Sequence, residues 1–526
     1  MSTVPARLPG PISSVHPAVL SRRLRDAALL AASVIVPLAV ALAVSVQVSR
    51  PSVPLLLAIV VGAIGVGTLV SSPHYAVTTT VVVLYLGLLD GPVKLGIGGH
   101  EAASAVRDVL IFSVAVGALL RLIVKKDRIV LPPLSGWVFA FIGLVLVEAF
   151  NPRTHGLLKA LGGFRQQLEW VPFFFFAYAL LRSKQRIRRL FLIIGVIALA
   201  NGVVSTYQSR LGPPQLASWG PGYRELVFGS ISLGKAGGAT GRTYSSEGVA
   251  HVRPPGLGSD AGFGGGVGVV ALPGLLALLA TGRLRRRWPV LLLALGSLVA
   301  VATGLGRLQV VGAVIAVLSF AVLSLSAGRK VTRPLAALLG IAALAIPFGA
   351  LFVAYEGSGT FSRYTSIAPE NVTSNKDTKT TSLSHIPALL QAAPLGVGLG
   401  TTGSASGFGG KNTNVLEGHN VSSETEYNFV SDELGLPGLL LWVAFSIRLL
   451  VLALRRLPRV RDIELRIYLA AVFATFIAFT IMGFSGPTMS SAAFGPFFWS
   501  AAGIAAYWFA GPGRARQGEP APAVSS

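Results

Sequence analysis

A polar, glycine-rich stretch between about residues 355 and 434 interrupts an otherwise strongly apolar chain and carries side chains suited to chemistry near neutral pH. His419, Glu424 and Glu426 are of the types that take a proton from an attacking hydroxyl group. Arg363 brings a guanidinium, which binds phosphate oxygens in pairs and stays charged. The stretch favours an enzyme over a simple solute carrier, although each side chain alone also fits a solvated loop.

Two further arginines lie at the ends of apolar runs. Arg307 stands between two such runs, and Arg165 precedes another. Taken singly, Arg307 fits a side chain that reaches the lipid headgroups, and Arg165 fits a salt bridge to Glu169 one helical turn later. Together with Arg363, these arginines predict a binding site for a pyrophosphate group.

Metal and cofactor motifs are missing from the sequence. There is no HExxH pattern and no paired Asp-x-Asp of a metal-dependent sugar transferase. The chain has no cysteine, which excludes disulfides, thiolate catalysis and zinc–thiolate sites. The glycine-rich run 394–410 is not a phosphate-binding P-loop, because Lys411 is followed by Asn412 rather than by serine or threonine. We expect chemistry without a metal or a cofactor, and a run of glycines that either approaches a ligand closely or is merely flexible.

The composition is that of an integral membrane protein. Of the 526 residues, 52% are hydrophobic and 12% are charged, whereas soluble domains average about 25% charged residues. Apolar runs near 20 residues in length recur from end to end, and each is long enough to cross a bilayer core of roughly 30 Å. We predict an all-α polytopic membrane protein with about 14 (12–14) transmembrane helices. Their expected positions are 27–48, 53–72, 74–90, 105–123, 130–150, 167–182, 188–207, 262–281, 288–304, 307–326, 333–354, 434–454, 466–484 and 490–510.

Basic residues mark alternate loops between these predicted helices, which fixes an orientation by the positive-inside rule. The basic clusters lie near 121–128, 182–189, 283–287, 329–333, 455–461 and 514–516. The formal charge of +23 is therefore interpreted as a topology signal and as contact with anionic lipids, not as nucleic-acid binding. The orientation places both termini in the cytoplasm and all three arginines of the predicted pyrophosphate site outside.

The predicted organisation has three parts. Residues 1–26 form a cytoplasmic N-terminal segment, residues 27–510 form the transmembrane domain, and residues 511–526 form a disordered cytoplasmic tail. Two long outer loops, about 208–261 and 355–433, are the natural places for chemistry. The second lies between predicted helices 11 and 12. The Ala-, Gly-, Val- and Arg-rich composition suggests a bacterium, so we expect the cytoplasmic (inner) membrane as the location.

Four segments, spread over roughly residues 160–445, resemble motifs of the O-antigen ligase and O-antigen polymerase family. They are Arg165 ahead of the aromatic-rich run 170–178; 253–257, similar to the family's Arg-x-x-Gly; 303–307, similar to its Ser-Arg-Gly-Ala turn; and 394–400 followed by 433–438, similar to its Pro-Leu-x-Gly-x-Gly and Glu-x-Gly-Leu-x-Gly signature. The order of these segments and their predicted outer placement agree with the family.

The resemblance implies a GT-C-like membrane glycosyltransferase that needs no metal. It would polymerise or ligate oligosaccharide carried on undecaprenyl pyrophosphate, with a glycan or a lipid-linked molecule as acceptor and other polysaccharide-assembly membrane proteins as partners. In the family, the arginine of the turn matched by 303–307 is implicated in binding the donor pyrophosphate, a role that falls here on Arg307, with Arg165 and Arg363 beside it. Arg253 and Tyr427 are further candidates from the matched motifs.

The chain departs from the family at the catalytic base. The family places a His-Asn pair eleven residues before the glycine of Glu-x-Gly, and counting back from Gly435 reaches Glu424, with Tyr427 in register. The pair His419–Asn420 lies five residues further upstream. Either His419 or Glu424 is therefore the expected base, and polymerase and ligase activity both remain open.

Two other classes of protein compete with the enzyme. A transporter or flippase of lipid-linked sugars would carry ionisable residues inside its spans. Few are evident there, Glu148 and Arg448 being the clearest, and no inverted repeat of broken helices stands out. The second competing class is a non-catalytic scaffold in cell-envelope assembly, which would not explain why the outer loops carry these arginines.

Overall fold

The computed structural model describes only part of the chain, and its architecture is overwhelmingly helical. The described residues are 53–97, 100–124, 131–154, 156–229, 243–246, 249–281, 287–325, 336–337, 340–341, 345, 383–407, 415–416, 419–420 and 425–513. The predicted N-terminal segment 1–26, the predicted helix 27–48, nearly all of the predicted helix 333–354 and the tail from 514 onward lie outside the described residues.

The described helices range from 5 to 36 residues in length. In chain order they are α1 (Val53–Leu88), α2 (Asp90–Ile97), α3 (His100–Val124), α4 (Ser135–Glu148), α5 (Leu157–Leu168), α6 (Pro172–Leu180), α7 (Lys184–Gln208), α8 (Pro213–Ala217), α9 (Pro221–Phe228), α10 (Phe263–Thr281), α11 (Arg287–Thr303), α12 (Arg307–Leu325), α13 (Ile386–Ala392), α14 (Glu426–Arg456), α15 (Ile463–Met482) and α16 (Gly495–Ala505). Short 3₁₀ turns cover Gly403–Gly407 and Leu457–Arg459, and a π-helical turn, Ala506–Ala510, extends α16.

Strands are few in the described ranges and form two small antiparallel hairpins. In the first, β1 (Thr243–Ser246) pairs with β2 (Val249–Val252), with Tyr244 opposite His251. In the second, β3 (Val415–Leu416) pairs with β4 (His419–Asn420). Both hairpins fall within the two long loops predicted from the sequence.

Six helices of the described chain are long and apolar enough to cross a membrane. They are Gly62–Leu88, Lys184–Gln208, Phe263–Thr281, Arg307–Leu325, Glu426–Arg459 and Ile463–Met482, with shorter apolar helices at Ser135–Glu148 and Arg287–Thr303. These helices indicate an all-α, multi-pass membrane protein, in contact with a lipid bilayer. The full number of spans predicted from the sequence stays a prediction.

The helix α10 lies at the centre of the bundle, buried along its whole length. Its glycines allow close approach of its neighbours: a Cβ on Gly268 would lie 2.6 Å from the Ser297 carbonyl oxygen of α11, and one on Gly274 would lie 2.5 Å from the Phe191 ring of α7. Small residues at such contacts let helix backbones pack tightly in a membrane, where packing rather than water drives association. The uniformly apolar sequence of α10 follows from this central position.

The predicted helix 167–182 is wrong in its boundaries. The segment forms two short helices, α5 and α6, separated by a break at residues 169–171. Pro172 stands at the first position of α6, where its missing N–H costs nothing, whereas a continuous helix would lose a hydrogen bond there. The boundary predicted between 53–72 and 74–90, in contrast, coincides with a kink in α1, where His74 has non-helical backbone angles just after Pro73.

The helix predicted at 434–454 begins eight residues earlier than expected, at Glu426. Thr425 caps it by accepting a hydrogen bond from the Asn428 amide at 3.2 Å. The helix is broken at Gly435, which has φ 62° and ψ −158°. Glu426 and Glu433, both expected in the outer loop 355–433, are therefore helical and buried.

Most loops with predicted chemistry meet at one end of the bundle, called here the loop-rich end. The Leu257 carbonyl accepts a hydrogen bond from the Gly91 amide at 3.1 Å, and the start of α10 packs against the turn between α11 and α12. At the opposite end, Lys184 forms ion pairs with Asp462 and Glu464. The basic segments 182–189 and 455–461 lie at this opposite end. The described basic loops and the candidate-site loops are therefore at different ends of the bundle, as the charge pattern predicts.

Candidate functional site

Three segments that carry the sequence resemblance meet around one buried carboxylate, that of Glu433 on α14. One of its oxygens accepts a hydrogen bond from the Gln167 side chain at 2.8 Å. The other accepts from the Thr402 amide at 3.2 Å and from the Thr402 hydroxyl at 3.0 Å. Glu433 is fully buried, so these donors replace water in stabilising its charge. The carboxylate links α5, the glycine-rich loop and α14.

The glycine-rich loop 394–400 packs backbone to backbone against the break in α14. The Val397 amide donates to the Asp432 carbonyl at 2.7 Å, and the Leu436 amide donates to the Pro394 carbonyl at 2.8 Å. A Cβ on Gly435 would lie 2.4 Å from that same Pro394 oxygen. The positive φ of Gly435 and this contact both require glycine. In this part of the run, the glycines serve contact between chain segments.

The same loop also presses on α5. A Cβ on Gly400 would lie 2.2 Å from the Lys159 carbonyl oxygen, and one on Gly163 would lie 2.6 Å from the Gly400 nitrogen. The Lys159 side chain is 2% exposed and its ammonium donates to the Ser406 carbonyl. Burial lowers the pKa of Lys159, while the charge of Glu433 acts in the opposite direction. Lys159 is a cation at this site that sequence reasoning missed.

Glu426 and Tyr427 fasten the first turn of α14 to the segment that follows α15. One Glu426 carboxylate oxygen accepts hydrogen bonds from the Thr488 amide at 2.6 Å and from the Ser490 hydroxyl at 3.1 Å. The Tyr427 ring stacks on Phe484, with ring centroids 4.3 Å apart. Glu426 is 1% exposed, so its interpretation as a solvated loop side chain is wrong. Its contacts are those of a group that positions the helix start.

Arg165 does not pair with Glu169 as the helical spacing predicts. Its Nε lies 3.0 Å from an Asp108 carboxylate oxygen, and both side chains are about one-fifth exposed. Glu169 instead receives two hydrogen bonds from Arg107, one of them at 2.9 Å. Glu169 keeps a helical backbone and its amide donates to the Arg165 carbonyl, so the two side chains stay one turn apart, and α3 presents a separate partner to each. The two ion pairs cross-link α3 to the break between α5 and α6.

Arg107 is the centre of a buried charged cluster that sequence reasoning missed. Its guanidinium lies 3.5 Å from Asp90, which is 1% exposed, and stacks 5.0 Å from the centroid of the Trp170 ring. The signal was present, since Arg107 and Glu169 both fall inside predicted spans and charged residues there are functional candidates by default. Their pairing joins positions 62 residues apart, which no local pattern reveals.

Arg307 is exposed at the first position of α12, at the loop-rich end. The turn before it is tight: Leu305 has φ 48°, and a Cβ on Gly304 would lie 3.1 Å from the Gly265 nitrogen of α10. The turn is therefore held closely against the start of α10. This arrangement presents Arg307 at the end of the bundle where the other site segments converge.

Arg253 follows β2 and is half-buried. The segment just after it is clamped by polar side chains of α7. The Leu257 amide donates to Asn201 at 2.9 Å, and the Gly256 amide donates to Gln208 at 2.8 Å. The Arg-x-x-Gly motif thus has a fixed place beside α7.

The remaining sequence candidates have little or no structural description. His419 lies in β4, opposite Leu416, and only its backbone is described. Glu424 and Arg363 lie outside the described residues. The structure therefore brings together the segments around Glu433, places Arg307 and Arg165 at the same end, and leaves the choice between His419 and Glu424 as a prediction.

Among the described residues, no three histidine, aspartate or glutamate side chains converge in a way that would hold a metal ion. No family model matches the sequence, and no curated protein is significantly similar to it.

Proposed function

We propose that the protein is a metal-independent membrane glycosyltransferase of the O-antigen polymerase or ligase type. It would act on undecaprenyl-pyrophosphate-linked oligosaccharide at the outer face of the bacterial cytoplasmic membrane, with a GT-C-like fold. The observation that carries the proposal is that three segments, Arg165 with the aromatic run 170–178, the run 394–400, and 433–438, come together: Gln167, just after Arg165, and Thr402, just after 394–400, both donate to Glu433. These segments were singled out by their resemblance to one family, and they are far apart in sequence.

The proposed reaction is a displacement at the anomeric carbon of the donor sugar. The acceptor hydroxyl attacks that carbon while His419 or Glu424 takes its proton. The bond from the anomeric carbon to the pyrophosphate oxygen breaks, and the lipid pyrophosphate leaves with the electron pair. Arg307, helped by Arg165 and Arg363, stabilises the negative charge that grows on the leaving group.

The described part of the site would hold the segment with the two candidate bases in place. The chain between Gly407 and Thr425 carries both candidate bases. Just before this segment, Thr402 is bound to Glu433; just after it, Glu426 is bound to Thr488. Fixed ends restrict where the base can lie, which is what general-base catalysis requires.

The experiment that tests the role of Arg307 compares two arginines at the same helical position. Arg307 begins α12 at the loop-rich end, and Arg287 begins α11 at the opposite end. In a deletion strain, we expect Arg287→Ala to restore long polymer and Arg307→Ala to give single lipid-linked units. Loss of one preset cation lowers such rates by roughly 10²–10³-fold. Wild-type polymer from stably expressed Arg307→Ala would refute the proposed mechanism.

The base is identified in the same strain with His419→Ala and Glu424→Ala. The variant that abolishes polymer while keeping normal protein levels names the proton acceptor. Accumulation of single lipid-linked units would indicate a polymerase, and loss of glycan from a separate acceptor would indicate a ligase. Full activity of both variants would contradict general-base catalysis from this segment.

A transporter or flippase of lipid-linked sugars is the second candidate, and the buried Arg107 cluster favours it. Asp90, Arg107 and Glu169 are ionisable side chains held among predicted spans, a pattern typical of transport pathways. Vesicles containing the purified protein and a labelled lipid-linked sugar separate the two functions. Transbilayer movement without a change in glycan length would support transport; longer glycan would support the enzyme. If neither occurs, a non-catalytic role in envelope assembly gains support.

A further inference from the structure

An apolar cleft lies at the loop-rich end, away from Glu433, between the last turns of α7 and the short helices α2 and α9. Its volume is about 600 Å³, and its lining includes Gly96, Val203, Tyr207, Trp219 and Tyr223. This volume falls in the usual range of ligand pockets, roughly 300–1,000 Å³. The lining offers almost no polar atoms, which argues against a sugar and for a hydrocarbon chain.

The cleft continues a stripe of α7 that faces the lipid. Val196 and Val203 are 49% and 63% exposed, and seven residues separate them, which places both on one side of the helix. α7 is one of the helices able to cross a membrane. Exposed valines on such a helix contact lipid chains, so a chain that follows the stripe toward the loop-rich end reaches the cleft directly.

The aromatic side of the cleft, formed by Tyr207, Trp219 and Tyr223, has the composition of a membrane–water interface. The Tyr207 ring stacks on Trp219 with centroids 6.0 Å apart, and Trp219 meets Tyr223 edge to face at 5.5 Å. Tyrosine and tryptophan are enriched where hydrocarbon gives way to headgroups. Two exposed arginines follow closely in the chain, Arg210 three residues after Tyr207 and Arg224 next to Tyr223.

We propose that the cleft binds one acyl chain of an anionic phospholipid from the adjacent leaflet. The chain lies against Val203, Gly96 and the aromatic rings, and the headgroup phosphate is drawn toward Arg210 and Arg224, since guanidinium groups attract anionic headgroups. The occupant enters from the bilayer. The cleft does not include Glu433 or its hydrogen-bond partners, although Leu257 of the segment 253–257 also lines it.

The test fills the cleft without disturbing the fold. Gly96 lines the cleft, and a Cβ added there meets no atom within 4 Å. The same is true of Gly143 in α4, which is not among the lining residues, so Gly96→Leu and Gly143→Leu form a matched pair. The full-length protein is reconstituted in phosphatidylethanolamine vesicles containing a small share of phosphatidylglycerol with a photoactivatable acyl chain. After illumination, the labelled peptides are mapped by mass spectrometry.

We expect labelling of peptides from the end of α7 and from α8–α9. Each methylene displaced from an apolar site lowers affinity roughly fourfold, and leucine displaces about two, so Gly96→Leu should reduce this labelling roughly fifteenfold. Gly143→Leu should leave it unchanged. Arg224→Gln should reduce the preference for phosphatidylglycerol over a photoactivatable phosphatidylcholine.

Three results would overturn the proposal. The first is equal labelling of the cleft peptides in Gly96→Leu and the wild type. The second is equal labelling by phosphatidylcholine and phosphatidylglycerol in the wild type, which rejects an anionic headgroup. The third is labelling by a photoactivatable isoprenyl phosphate that excess phosphatidylglycerol does not compete away, which assigns the cleft to a polyisoprenoid instead.

Discussion

The replacement of Glu433 by glutamine tests whether its buried carboxylate holds the site together. The carboxylate accepts from Gln167 on one oxygen and from Thr402 on the other. Glutamine keeps the shape but removes the charge and replaces one acceptor oxygen with an NH₂ donor. Each hydrogen bond then loses a charged acceptor, and bonds to charged groups contribute about 1.5–3 kcal/mol against about 0.5–1.5 kcal/mol for neutral ones. We expect a loss of about 3 kcal/mol in stability.

The assay is thermal unfolding of the purified full-length protein in one detergent, followed by intrinsic fluorescence. Glu464→Gln is the matched control, since Glu464 pairs with Lys184 at the opposite end and both side chains are more than one-third exposed. An exposed ion pair contributes about 0–1 kcal/mol. Glu433→Gln should therefore lower the unfolding temperature by several degrees, and Glu464→Gln should change it little.

Glu433→Gln also has a functional consequence that separates anchoring from proton transfer. A positioning residue acts through the segment it holds, so its loss should lower polymer synthesis without moving the pH at which activity is half-maximal. Equal unfolding temperatures for Glu433→Gln and Glu464→Gln would refute the view that Glu433 anchors three segments. A shifted pH profile would instead assign Glu433 a direct part in the chemistry.

Three further substitutions test the contacts that hold the helices and loops in place. Gly435→Ala should destabilise the protein by about 1–3 kcal/mol in chemical unfolding, because φ is positive and the added methyl group meets backbone atoms. The control Gly143→Ala should be neutral or stabilising, since a methyl group there meets no atom within 4 Å. Equal effects of the two substitutions would contradict the close contact at Gly435. Glu426→Ala should speed amide hydrogen exchange in the segment after α15, and unchanged exchange would remove its positioning role. Burial raises the pKa of Asp462, but hydrogen bonds from Lys184 and from the amides of α15 outweigh burial and lower it. The ionised Asp462 side chain therefore stabilises the fold above the unfolded-state pKa of about 3.8, and this stabilisation is lost as pH falls through the lower folded-state pKa. Asp462→Asn should make the free energy of unfolding depend less on pH in the acid range. An unchanged dependence on acid pH would contradict this prediction.

Long apolar helices were predictable because their signal is local. The expected span 262–281 corresponds to Phe263–Thr281, and 188–207 falls within Lys184–Gln208. Length and hydrophobicity are properties of the segment itself, set by the thickness of the bilayer. The start of α14 was not predictable in this way, whereas its end at Arg456 lies within two residues of the predicted 454. Its first turns are polar and become helical because Thr425 caps them and Glu426 finds donors more than 60 residues later in the chain.

The partners of the charged side chains were likewise beyond local pattern. Helical spacing pointed from Arg165 to Glu169, yet Asp108 and Arg107 of α3 take these two partners. Arg107 and Asp108 are adjacent in α3 and opposite in charge. They face Arg165 and Glu169, which are also opposite in charge and lie one helical turn apart at the end of α5. The pairing depends on how two helices pack, which is tertiary information. The same holds for the glycines of 394–400, whose purpose is visible only against α14 and α5.

The residues that anchor the segment and the residues proposed to react are different, which bears on how this chain departs from the family motifs that it resembles. Glu426 and Glu433 are seven residues apart on α14, which is about 10 Å along a helix. The segment that carries His419 and Glu424 is therefore attached at both ends to the first two turns of α14. Before the segment, Thr402 donates a hydrogen bond to Glu433. After it, Thr425 caps the helix. A loop closed at fixed ends absorbs a few extra residues at little entropic cost, since that cost grows only slowly with length. A histidine five residues further from the helix can therefore serve the same site, which makes His419 the first candidate base to test.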